Sequence, residues 1–183
     1  ISVFWFITVN RSPNFLRPLS MILRTGYTIV GPSVFCILYI AYRTKGWLGT
    51  ILSLLLSLSL FALALSGVWA TGQTESGLLS GVIPMFDSTS YYLDALRLLA
   101  GMEFSNVSSS KPLFSGFFAF LLWIANNNLQ TALTLLTLLI ALSCYLLTKE
   151  IHRTHGPTVA VIVLLIIFIY YRYHSGVVRT ENL

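Results

Sequence analysis

The chain has 183 residues, 56% of them hydrophobic and only 9% charged, against about 25% charged in an ordinary soluble domain. Those proportions exclude a soluble globular domain, and with 14% aromatic residues and a net charge of +5 they exclude a disordered chain too. The 11 Lys and Arg fall singly between apolar blocks, so no basic patch grips a nucleic acid, and the class left is an all-α, polytopic transmembrane helical protein in a lipid bilayer.

Residues 1–9 read as the tail of an earlier helix, and with no initial Met the chain reads as a piece of a longer protein, one incomplete transmembrane domain over 1–183. Residues 10–26 are polar with apolar positions at Phe15, Leu19 and Ile22, and Ser12-Pro13 is a helix-start pair. An interfacial helix is predicted there. Charge-free runs then mark the spans, because an ionised side chain at bilayer depth costs about 3 kcal/mol or more. Four runs of 18, 29, 37 and 18 residues follow Arg24, Lys45, Lys111 and Arg153.

A spanning helix needs about 20 residues, so the run of 37 must be divided. The break is Asn126-Asn127-Asn128, three poor helix formers that are costly in hydrocarbon. Residues 113–125 are then too few to cross and are predicted to lie at the interface. Spans are expected near 27–42, 48–70, 129–148 and 158–173. Tyr42, Trp47, Trp69, Tyr170, Tyr171 and Tyr173 sit at their ends, as an aromatic belt requires. Cys36 and Cys144 fall inside apolar runs and read as small core residues.

Four of the 6 acidic residues, Glu75, Asp87, Asp94 and Glu103, share the connection 71–112, a length that marks a functional loop rather than filler. Within it, 88–102 has helical spacing. Tyr91, Ala95 and Leu99 form one face and an Asp94–Arg97 pair the other, an amphipathic surface helix capped by Asp87. His152 and His155 are spaced for one helix face but lack further ligands, and read as part of a basic turn.

The stretch IPMFDSTSYYLDALRLLAGMEF with SSSKPLFSGFFAFLLWI resembles the first extracytoplasmic loop of the GT-C superfamily of membrane glycosyltransferases. In that family an acidic residue follows the first span, a Tyr-containing surface helix comes next, and a Lys-Pro-Leu-like segment returns to the bilayer. Asp87, Tyr91 and Lys111-Pro112-Leu113 match. The end, YYRYHSGVVRTENL, is similar to the second extracytoplasmic loop, with Glu181 at its acidic position. The second proline of the commoner Lys-Pro-Pro pattern is missing, as is an acidic residue directly beside Asp87.

The resemblance implies a glycosyltransferase of the cell (inner) membrane that uses a polyprenyl-phosphate sugar donor on the extracytoplasmic side. It implies Asp87 and Glu181 as catalytic residues, Lys111 and Arg179 as donor-phosphate ligands, and Tyr91 and His174 as substrate contacts. No resident metal site is read from the chain, although Glu181 with Asp87 would be the pair to hold a divalent cation. The implied topology leaves four Lys and Arg inside and seven outside, against the positive-inside rule. The alternative is a non-catalytic multi-pass membrane subunit or a transporter fragment, and transport is disfavoured because the predicted spans hold no acidic residue and no Lys.

Overall fold

The computed structural model describes residues 5, 16–26, 30–72, 77–105, 109 and 111–178. Among them are seven helices and one short hairpin: α1 (Leu16–Thr25), α2 (Val30–Arg43), α3 (Gly46–Thr71), β1 (Leu78–Leu79), β2 (Ile83–Pro84), α4 (Asp87–Leu99), α5 (Pro112–Ile124), α6 (Leu129–His155) and α7 (Pro157–His174). Helices α3, α6 and α7, with 26, 27 and 18 residues, are long and apolar enough to cross a bilayer. The protein is therefore a helical membrane protein. Helix α2 has 14 residues, and the first three positions of the span expected at 27–42 lie outside the described residues.

Helix α3 is apolar all round, which fits a helix enclosed by others. Phe61, Ala62, Ala64 and Leu65 are fully buried. The Phe61 ring meets Phe168 edge-on at 5.8 Å and Tyr171 at 4.8 Å, both on α7. Tyr171 in turn shares a 2.7 Å hydrogen bond with Thr137 of α6, so a hydroxyl that would be costly alone in a dry core is paired. Outward-facing residues such as Ile40, Ile51, Leu146 and Ile166 are exposed and present an apolar surface to lipid.

Helix α1 packs inward through a face other than its apolar positions. Ser20 and Leu23 are buried against α3, whereas Leu19 and Ile22 are exposed. Contact is made through small groups: a Cβ on Gly67 would come within 2.8 Å of the Ser20 carbonyl oxygen. Lipid is as apolar as leucine, so large side chains gain nothing by turning inward, and small residues that let backbones approach take the interface. The same reasoning corrects Cys36, which is exposed, while Cys144 is buried.

The Asn triplet works residue by residue. Asn126 and Asn127 take left-handed φ values of 52° and 61°, which Asn tolerates better than most residues. Asn128 then accepts a 3.0 Å hydrogen bond from the Thr131 amide and caps α6. At the other end of α6 a single residue, Gly156 with φ 88°, turns the chain into Pro157, the first residue of α7. Proline suits that place because its missing N–H would be unsatisfied there anyway.

Two ends of the bundle are thereby defined. At one, Tyr42, Thr44–Gly46, Lys149, His152 and Pro157 converge. At the other, Val68 of α3, Leu78 of the hairpin and Val177 beyond α7 form one buried cluster. Val178 belongs to a second cluster with Tyr91, Phe114, Phe118 and Ala132. The loop elements and the chain after α7 are thus packed together.

Candidate functional site

The second end carries the acidic loop. Val82 N–H donates to Leu79 O at 3.2 Å, and the residues between, Ser80 and Gly81, both have positive φ. That is the tight turn matching the twist of a hairpin. A Cβ on Gly81 would overlap the Val68 carbonyl oxygen, so the hairpin seats directly on the end of α3. Met85 N–H then donates to Gly77 O at 2.9 Å, and Thr89 Oγ1 to Pro84 O at 2.7 Å.

Those bonds hold Phe86 at φ 53°, ψ −129°, a region that disfavours a bulky side chain by about 1–3 kcal/mol. Its ring is 71% exposed, so packing of the ring does not offset the strain. Asp87 follows immediately. The expectation that Asp87 caps the helix is corrected: Phe86 occupies the cap position, with no side-chain capping bond, and Asp87 is the first residue of α4. Asp87 is exposed, and its carboxylate lies where the helix dipole favours an anion.

The buried face of α4 is also rotated from the expected one. Ser88, Tyr91, Asp94 and Ala95 are buried and Leu99 is exposed. Asp94 is not a solvated surface partner of Arg97. It is 2% exposed, accepts from the Ser105 amide at 3.1 Å and from Ser105 Oγ at 2.6 Å, and stands 3.9 Å from Arg97 Nε. Arg97 Nε donates to Glu103 O at 3.2 Å. The carboxylate therefore ties the turn after α4 back onto the helix, and charge-assisted bonds of this kind are the strong ones.

Helix α4 lies on α5, with Tyr91 meeting Phe114 edge-on at 5.5 Å. Tyr91 is thus a packing residue between the two helices rather than an open contact. Lys111 is exposed at the cap position of α5, ahead of Pro112. One turn beyond, Ser115 Oγ is buried with no hydrogen-bond partner among the described residues, as is Ser88 Oγ beside Asp87. Buried hydroxyls of this kind call for an explanation. Helix α5 keeps Leu113, Phe120, Trp123 and Ile124 exposed. At about 1.5 Å per residue its 13 residues reach about 20 Å, short of a bilayer core.

His174 ends α7, with its ring 4.7 Å from Tyr170. It stands on an apolar groove of about 310 Å³ that Phe117, Leu136, Leu139, Cys144 and Ile167 also line. Arg179 and Glu181 lie outside the described residues. No group of three or more His, Cys, Asp and Glu able to hold a metal ion occurs among the described residues.

Sequence reasoning placed Asp94 on the wrong face of α4 and missed the strained Phe86. The signal for Asp94 was present: it stands three positions after Tyr91 and one before Ala95, both on the buried side of α4. No protein family, curated protein or solved structure matches this chain.

Proposed function

We propose that the chain is part of a membrane glycosyltransferase that moves a sugar from a polyprenyl-phosphate donor to an acceptor hydroxyl at the extracytoplasmic surface of the cell membrane. The observation that carries this reading is Asp87, an exposed carboxylate at a helix start, not used as a cap and preceded by the strained Phe86. Strain persists only where the surroundings over-determine it, and it concentrates where a group must be presented in a fixed pose.

In the proposed reaction the acceptor oxygen attacks the anomeric carbon as Asp87 takes its proton. The bond from that carbon to the phosphate oxygen breaks, and the polyprenyl phosphate leaves with the electron pair. Lys111 and Arg179 meet the departing negative charge, because charge-assisted contacts are strongest in a partly dehydrated site. Glu181 orients the acceptor. His174 stands on the groove suited to an isoprenoid chain, and Tyr91 keeps α4 and α5 in register. The burial of Val177 and Val178 against the loop elements supports placing the segment that leads to Arg179 and Glu181 near Asp87.

The test is sugar transfer from a polyprenyl-phosphate donor by full-length protein carrying Asp87→Asn. Removal of a general base lowers turnover by at least about 100-fold, while Asn at a helix start leaves insertion and stability unchanged. Near wild-type turnover in this variant would favour the non-catalytic membrane subunit instead.

A further inference from the structure

At the end of the bundle away from Asp87, a cavity of about 470 Å³ opens between the α2–α3 connection and the C-terminal part of α6. Arg43, Lys45 and Lys149 line it together with His152, and no carboxylate does. Glu150, the nearest acid in sequence, is paired with Arg153 at 2.6 Å. Three cationic residues thus line one space whose lining holds no carboxylate. An anion held in that space would be attracted by all three.

The neutral lining suits the same ligand. Helix α3 begins at Gly46 with Lys45 as its cap and no side-chain capping bond, so its first amides are open to an acceptor. Gly49 also lines the cavity, and a Cβ there would overlap the Thr44 carbonyl. Its absence lets the Thr44–Lys45 link wrap tightly over the first turn of α3. Thr50 and Tyr145 also line the cavity, with Tyr145 Oη donating to Thr50 O at 3.3 Å and Thr50 Oγ1 to Gly46 O at 3.4 Å. Just outside, Trp47 and Leu48 are exposed, Trp47 by 71%, as interfacial anchors are.

From this combination we infer that the cavity binds a phosphate group, and that its source is the headgroup of an anionic membrane lipid, because the cavity opens at the end of spanning helices beside an exposed Trp. The site lies at the opposite end from Asp87 and does not depend on glycosyl transfer.

The test uses the full chain in detergent, with phosphatidylglycerol or phosphatidylcholine added, and native mass spectrometry to count retained lipid. Wild type retains phosphatidylglycerol in preference to phosphatidylcholine. Lys45→Gln with Lys149→Gln lowers that retention by about tenfold or more, since each cation near a membrane surface contributes about 1 kcal/mol, roughly fivefold. Arg97→Gln, at the other end of the bundle, leaves it unchanged. All three changes are at exposed positions, and an unaltered elution volume verifies folding. Equal retention in the double variant, or no preference over phosphatidylcholine in wild type, overturns the site. Displacement of phosphatidylglycerol by millimolar inorganic phosphate in wild type overturns the lipid as source.

Discussion

Tyr42 Oη and Thr148 Oγ1 lie 2.8 Å apart in a buried contact that joins the C-terminal ends of α2 and α6. The Thr148 hydroxyl also lies 2.8 Å from Cys144 O, one turn back in its own helix. A threonine has one hydroxyl proton, so with that proton on the helix carbonyl, Tyr42 is the donor and Thr148 the acceptor. The Tyr42 ring meets His152 edge-on at 5.6 Å, which keeps the two helix ends at one level and gathers Arg43, Lys45 and Lys149 around one space.

The direction of that bond makes the two truncations unequal. Tyr42→Phe removes the donor and leaves Thr148 satisfied within α6, so the loss is about 0.5–1 kcal/mol. Thr148→Val removes the acceptor closest to the buried Tyr42 hydroxyl, at about 1–3 kcal/mol. Reversible unfolding in mixed micelles measures both, and a larger loss for Tyr42→Phe would reverse the donor assignment.

Asp94 provides a second measurement, local rather than global. Asp94→Ala removes the acceptor for the Ser105 amide and hydroxyl, so hydrogen exchange at residues 103–105 accelerates while α6 remains protected. A charge-assisted pair of this type is worth about 1.5–3 kcal/mol, enough for a tenfold or greater change in exchange. An unchanged Ser105 amide would mean that the carboxylate does not hold the turn.

Topology follows from the short reach of α5. Single cysteines at Met102, Asn127 and Thr154, all exposed, are expected to react with a membrane-impermeant reagent from one side for Met102 and Asn127 and from the other for Thr154. Labelling of Asn127 from the Thr154 side would make α5 a crossing helix.

Under the proposed function, Lys111 separates donor from acceptor recognition. Lys111→Gln weakens use of the polyprenyl-phosphate donor by about tenfold or more, the scale of one charge-assisted contact, and leaves acceptor KM unchanged. An equal effect on both substrates, in protein of unaltered stability, removes Lys111 from the donor site.

Most of the bundle is legible in the sequence because its signals are local. The charge-free runs place α3, α6 and α7, and the Asn triplet separates α5 from α6 by conformations that Asn itself favours. The site is less legible because its decisive contacts are distant. Asp94 is inside because Ser105, 11 residues on, supplies two donors that pairing rules within a helix do not include. The face that α1 packs against α3 is not legible in the sequence, since a rule that turns large apolar residues inward holds in water and fails against lipid. The hairpin was missed because its two-residue strands are too short for an alternating pattern to register.

Arg172 has a consequence for the order in which the chain is assembled. It is 5% exposed, and its guanidinium reaches the Leu23 carbonyl at 3.4 Å and the Gly26 carbonyl at 3.5 Å, at the end of α1, where the last carbonyls of a helix lack partners of their own. These groups are 149 residues apart in the chain, so α1 leaves the ribosome long before its cationic partner exists. Until α7 emerges, the end of α1 depends on water or headgroups for hydrogen bonds. The anchoring of the end of α1 by Arg172 is therefore completed only once α7 has been made, after α3 is already in place.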